Sequence, residues 1–147
     1  MSEQTIFEQI VAGEIPSYTI YEDEQTYAFL DANPLAPGHT LVIPKEPYER
    51  LNDMPPELIG KVFSVAGEVA SAVEAAVDAP ATTLAINNGE EAGQEVPHVH
   101  LHIIPQFEDD DSRPIHTLFR GADLSDEEME EIAATIRDNQ SGGGAAE

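Results

Sequence analysis

His98-Val99-His100-Leu101-His102-Ile103-Ile104 is the stretch on which the reading of this chain turns. Imidazole alternates with apolar side chains, which predicts a strand. His98, His100 and His102 then share one face, and Val99, Leu101 and Ile103 the other. At strand rise the three rings stand roughly 6.5–7 Å apart. They are three of the chain's five histidines. An ordinary surface strand does not carry imidazole at every position of one face. Imidazole changes charge near neutral pH, attacks electrophiles and binds metals, so the row reads as a site.

The preceding segment, Asn87-Asn88-Gly89-Glu90-Glu91-Ala92-Gly93-Gln94, is a loop. Gly89 and Gly93 permit close backbone approach and exposed N–H groups, which suit a phosphate. Asn87 and Gln94 add neutral donors. Two site classes fit the row: a metal site with nitrogen ligands, or a nucleophile with supporting groups. The loop favours the second. His39 opens a strand after Pro37-Gly38 and belongs at a sheet edge near a loop. His116 is given no role.

Further out, Thr5-Ile6-Phe7-Glu8 resembles a capping box and starts a short helix with Ile6, Phe7, Ile10 and Val11 on its apolar stripe. Residues 18–21 and 26–30 read as a hairpin across an acidic turn, and 39–43 as a third strand stopped by Pro44. Pro55-Pro56 opens a long helix whose stripe is Leu58, Val62, Val65, Val69 and Val73. Residues 82–86 form a fourth strand and the histidine segment a fifth. Ser125-Asp126-Glu127-Glu128 caps a last helix, about 125–139, with Met129, Ile132, Ala133 and Ile136 on one face. The fold class is α+β: a five-stranded antiparallel sheet, strands in sequence order, with one long helix and shorter N- and C-terminal helices. One domain is expected over residues 1–140, with a disordered tail at 141–147.

Composition narrows the function. The chain has no cysteine, which excludes disulfides and thiolate metal sites. No apolar run approaches a membrane span, and Met1-Ser2-Glu3-Gln4 lacks a signal-peptide pattern, so a soluble cytoplasmic protein without a membrane partner is expected. The net charge is −23, from 29 acidic and 6 basic residues, which argues against a nucleic-acid partner. A hydrophobic content of 41% with clear periodicity argues against disorder. The acidity fits a solvated surface that needs salt screening, as in a halophile.

These residues together resemble the histidine triad (HIT) family, whose hallmark is His-x-His-x-His followed by apolar residues. The likeness includes Ile6-Phe7, Gly13-Glu14-Ile15-Pro16, Tyr21-Glu22-Asp23, Ala28-Phe29-Leu30-Asp31, Pro37-Gly38-His39 through Lys45, and Asn87-Asn88-Gly89 through Val96. It covers about residues 5–108. The resemblance is to a halophilic archaeal member, and it implies the HIT-like fold and a nucleotide-binding hydrolase or transferase acting at an α-phosphate. It makes His100 the nucleophile that forms a nucleotidyl-histidine, with His98 and His39 in support. His102 and Gln94 would bind phosphate oxygens, with Asn87, Gly93 and the backbone of Glu95 beside them. Asp31 would accept from the ribose hydroxyls. Phe7, Ile6, Ile10 and Phe29 would line the base pocket. The implied ligand is a purine nucleotide of the adenosine monophosphate type, the implied assembly a homodimer, and no metal or other cofactor is required.

The chain departs from the family in three places. Thr5 and Glu8 stand where many relatives carry a Cys-x-x-Cys zinc pair. Glu95 replaces a Ser or Thr of animal relatives, and its carboxylate is expected to turn away from a phosphate. Gln106 follows Pro105 where relatives often have Arg. The leading substrates are nucleoside 5′-phosphoramidates or related adenosine monophosphate conjugates. Alternatives are a dinucleoside polyphosphate hydrolase, a nucleotide-binding regulator with little turnover, and a metal-binding module using the histidine row.

Overall fold

A computed structural model describes residues 4–140; the tail expected to be disordered, 141–147, lies outside the described residues. The elements are α1 (Ile6–Val11), β1 (Thr19–Glu22), β2 (Thr26–Leu30), β3 (Thr40–Pro44), α2 (Pro56–Val77), β4 (Ala81–Ile86), β5 (Leu101–Gln106) and α3 (Asp126–Asp138). The chain divides into two compact units, one ending at Asp110 and one beginning at Asp111.

The first unit holds the sheet, antiparallel throughout, in the order β1-β2-β3-β5-β4. This corrects the expectation of strands in sequence order. Helix α2 carries the chain past one strand width, and β5 returns into the gap between β3 and β4. Strand β5, which carries His102, is therefore an interior strand, with Leu41 opposite His102 on one side and Ala85 opposite it on the other.

Strand alternation sorts the side chains onto two cores. Ala28, Val42, Val99, Leu101 and Ile103 face α2, which lays Leu58, Val62, Val65, Ala66, Val69 and Val73 on them. The opposite face collects Tyr27, Phe29, Leu41 and Ile43 under Phe7 and Ile10 of α1. Helix α2 starts at Pro56, where a missing N–H costs nothing, and stops at Asp78 in the left-handed conformation, φ 57°. Gly38 has φ 94°, and a Cβ there would meet Val77 Cγ1 at 3.1 Å, so only glycine lets the chain turn into β3 beside α2.

The β1–β2 turn is tied by Asp23. Its Oδ1 accepts from the N–H of Gln25 and Thr26 and from the Thr26 hydroxyl, and its Oδ2 from the Tyr21 hydroxyl. Lys61 Nζ approaches the same carboxylate at 3.1 Å.

In the second unit, Ser125 and Glu128 form a reciprocal capping box on α3, with Asp126, Glu127 and Glu128 at the positive end of the dipole. Met129, Ile132 and Ile136 are exposed. Among the described residues, no helix is long and apolar enough to cross a membrane.

Candidate active site

The histidine segment was expected to be a strand from residue 98; the ladder begins at Leu101. Extending the register Val42↔Leu101 would set Val99 opposite Pro44, which has no N–H to give. The Pro44 carbonyl instead accepts from His98 Nε2 at 2.7 Å, and Val99 N–H donates to the Tyr48 carbonyl at 2.8 Å. A side chain and a distant loop have replaced the ladder. The alternation of faces survives, with Val99 in the α2 core and Phe7 against the His98 ring.

The three rings do not form an equivalent row. His98 is fully buried, its Nδ1 2.8 Å from Thr5 Oγ1. Pro44 O can only accept, so His98 carries its proton on Nε2 and accepts at Nδ1. His100 Nδ1 donates to the His98 carbonyl at 2.8 Å, which leaves its Nε2 lone pair as the free nitrogen of the ring. The His100 and His102 rings meet edge to face at 5.1 Å.

His39 assigns the remaining tautomers. Leu35 N–H donates to His39 Nδ1 at 3.0 Å, so the neutral ring holds its proton on Nε2. That nitrogen lies 2.9 Å from His102 Nδ1 and 3.6 Å from Asp31 Oδ2. His102 therefore accepts at Nδ1 and presents an N–H at Nε2. Burial lowers the pKa of His39 and His98, and burial followed by the neighbouring His100 and His39 lowers that of His102 to about 4. These three rings are neutral at pH 7.

A cleft of about 360 Å³ opens over this cluster. Ile6, Phe7 and Ile10 of α1, with Phe29 and Leu41, form its apolar wall. Asp31, Asn33, Asn87, Gly93, His100 and His102 supply its polar groups. Phe7 packs edge-on against Phe29 at 5.7 Å and His100 at 5.0 Å. Asp31 is braced by the N–H of Asn33, which donates to its Oδ1 at 2.8 Å. Asn87 Nδ2 donates to the Ala92 carbonyl at 2.8 Å, and Gly93, at φ 97°, turns the loop.

Three expected residues sit elsewhere. His98 and His39 lie behind the cleft and act on it through His100 and His102. Gln94, expected on a phosphate, is corrected: its Nε2 donates to the carbonyls of Glu49 and Val96 at 2.7 and 2.9 Å, and its Oε1 accepts from Gly89 N–H at 2.8 Å. The amide is saturated and clasps the loop shut. Glu95, expected to turn away, borders the cleft and also a smaller depression shared with Glu49 and Glu90. Ala32, Asn33, Leu41 and Val96 line the cleft without having been anticipated. Leu41 was within reach of the pattern, because it stands opposite His102 on the same face.

The donor set suits hydrogen bonding rather than a cation. Ligand atoms of Asp31, His39 and His102 lie within 4.8 Å of one another. His39, however, accepts a backbone N–H at one nitrogen, so ligation at the other would require an imidazolate. Thr5 and Glu8 bond each other in the cap of α1, and both nitrogens of His98 are engaged, which leaves no zinc ligand set there.

Comparison with known proteins follows the same residues. A HIT domain model matches residues 12–109. A HIT-like protein of Methanocaldococcus jannaschii is 44% identical over 86% of this chain and 97% of its own length. An adenylylsulfatase of Arabidopsis thaliana is 34% identical over 93% of this chain and 70% of its own. The crystal structure of a HIT family member from Bacillus subtilis superimposes with a TM-score of 0.82 at 35% identity, covering 95% of this chain and 99% of that one.

Proposed function

From the premise that this chain belongs to the HIT family of nucleotide-binding hydrolases and transferases, we propose that it cleaves adenosine 5′-phosphoramidates or related nucleoside monophosphate conjugates through a nucleotidyl-histidine on His100. One observation carries the reading. The His98 carbonyl holds the His100 proton at Nδ1, so the ring borders the cleft with an unprotonated Nε2.

The chemistry follows from that tautomer. His100 Nε2 attacks the α-phosphorus, a P–N bond to the ring forms, and the bond to the leaving group breaks. Nδ1–H stays on the His98 carbonyl, so the ring becomes a cationic phosphorylated imidazole and a good leaving group. As the bond to a leaving amine breaks, its nitrogen takes one proton from solvent and departs as the neutral amine. Water then attacks phosphorus, the P–N bond to His100 breaks with its electron pair returning to Nε2, water gives one proton back to solvent, adenosine monophosphate leaves and the ring returns to its first state. His102 Nε2–H faces a phosphoryl oxygen as charge grows there. Asp31 takes the ribose hydroxyls, and the apolar wall takes the base.

The Arabidopsis relative named as an adenylylsulfatase makes adenylyl sulfate one of the conjugates to test. The working form is a homodimer paired along β4, whose exposed face includes Leu84 and which carries no Lys or Pro to block strand addition. The decisive experiment incubates the protein with adenosine phosphoramidate, adenylyl sulfate and diadenosine polyphosphate in molar salt, with acid-quenched mass spectrometry of the chain. An adenylyl group on His100, absent from His100→Ala, is the expected result. An adenylyl group on another residue, or turnover retained by His100→Ala, refutes the mechanism.

A further inference from the structure

The Thr5 hydroxyl serves two structures at once. It accepts from Glu8 N–H at 3.0 Å as the cap of α1, while Glu8 Oε1 accepts from Thr5 N–H at 2.9 Å. It also lies 2.8 Å from His98 Nδ1. The direction of that second bond is fixed, because His98 gives its ring proton to the Pro44 carbonyl and Nδ1 can only accept. Thr5 O–H therefore donates. The buried His98 ring is pinned at both nitrogens, by α1 on one side and the end of β3 on the other. The carbonyl of this residue receives His100 Nδ1–H. Helix α1 also supplies Phe7, whose ring packs edge-on against His98 at 5.7 Å and His100 at 5.0 Å. One hydroxyl thus joins the wall that would receive a base to the backbone that aims the nucleophile.

We infer that Thr5 is a positioning residue: its hydroxyl, opposing the Pro44 carbonyl across the ring, fixes the seat of His98, and so the aim of His100 Nε2 at a phosphate whose nucleoside rests on α1. The inference rests on the reaction proposed above for its kinetic arm and on the hydrogen-bond geometry alone for its spectroscopic arm. The sequence shows Thr5 only as a helix cap, since its partner is 93 residues away.

The test compares Thr5→Val, which keeps the shape and removes the hydroxyl, with Thr5→Ser, which restores it. Glu8→Ala is the control that weakens the cap yet leaves the hydroxyl in place. Histidine ¹⁵N spectra report the tautomers, and kcat and KM for adenosine phosphoramidate report the aim. In the parent protein His98 should read as the Nε2–H form and His100 as the Nδ1–H form. Thr5→Val should shift the His98 Nδ1 resonance, which loses its donor while Pro44 keeps the ring proton on Nε2, and the His100 Nδ1–H resonance that reports its bond to the His98 carbonyl, and should lower kcat by about 10-fold or more, toward the ~10²-fold that a one-ångström misplacement costs, with KM little changed. Thr5→Ser should recover both. Glu8→Ala should lower the melting temperature and keep kcat. Unchanged His98 and His100 ring resonances and kcat in Thr5→Val, or an equal loss of kcat in Glu8→Ala, overturn the inference. If the parent protein fails to cleave any phosphoramidate, the proposed reaction falls, and the His98 and His100 ring resonances of Thr5→Val still decide the positioning role.

Discussion

His39→Leu tests the hydrogen-bonded chain that aims His102. In the folded protein Leu35 N–H fixes the proton of His39 on Nε2, and His39 in turn donates to His102 Nδ1 at 2.9 Å. His102 is then left with its N–H at Nε2. If that N–H serves developing charge on the phosphoryl group, its removal in His102→Ala should cost about 10²–10³ in kcat. His39→Leu keeps the imidazole of His102 and removes only the bond that orders it. A net hydrogen bond contributes about 1 kcal/mol, which is a bias of roughly fivefold between the two tautomers. With the bias gone and the ring looser, kcat should fall about 10-fold or less, well short of the His102→Ala loss. His39→Gln can place an amide N–H near His102 Nδ1 and should recover part of the difference. The assay is saturating turnover of adenosine phosphoramidate, with ¹⁵N spectra of the His102 ring. A His39→Leu loss as large as that of His102→Ala, with the His102 tautomer unchanged, would refute the relay and give His39 a direct role.

Acidity should act through the same buried rings. The pKa values of His39, His98 and His102 are lowered, that of His102 to about 4, so the unfolded chain takes up protons first as pH falls. Stability should be full above about pH 6.5 and decline below it, until the folded rings also protonate. Thermal scans at constant salt check the sign, and a melting temperature that rises on acidification from neutrality contradicts it. Velocity sedimentation in molar salt should give about twice the chain mass, and Leu84→Asp on β4 should shift the protein toward monomer; a fully active monomeric parent chain counts against the pairing. Melting temperature and adenosine monophosphate affinity should both climb with potassium chloride, because the Debye length shrinks from about 30 Å at 0.01 M to about 3 Å at 1 M. A flat or falling response in both ends the halophile reading.

Period-2 alternation was legible in residues 98–104 because it needs only neighbours, and it put Val99, Leu101 and Ile103 together on the face opposite the imidazoles, the face that the structure packs against α2. The start of the ladder was not legible. It depends on the Pro44 carbonyl, which is 54 residues from the ring that takes it. Gln94 shows the same limit from the side of chemistry. An amide next to a glycine loop reads as a phosphate donor, and only the fold reveals that Glu49, Val96 and Gly89 already saturate it. Strand order failed for a topological reason, since nothing local in α2 says how far it carries the chain before β4 begins. Phe7, Ile10 and Phe29 were legible as apolar residues with no polar work to do, and the structure gathers them into the cleft wall.

The cleft also explains how so acidic a chain can accept an anion. Among the described residues no Lys or Arg lines it, and both lysines of the chain are paired on the β1–β2 hairpin, Lys45 with Glu22 and Lys61 with Asp23. What the cleft offers instead is neutral N–H groups with fixed direction, His102 Nε2–H foremost, set by bonds that run back to backbone N–H groups and carbonyls. A protonated row of imidazoles would attract a phosphate more strongly, but it would take up the ring lone pair that the proposed attack by His100 uses. Burial resolves the conflict, because it keeps His39, His98 and His102 uncharged and makes each directed hydrogen bond stronger than it would be in water. The interior position of β5 supplies that burial: it puts His102 between β3 and β4, with the α2 core beneath it and α1 above the neighbouring His100. Sheet order, ring tautomer and nucleophile are therefore linked, and a change that exposed this strand would be expected to weaken catalysis before it unfolded the chain.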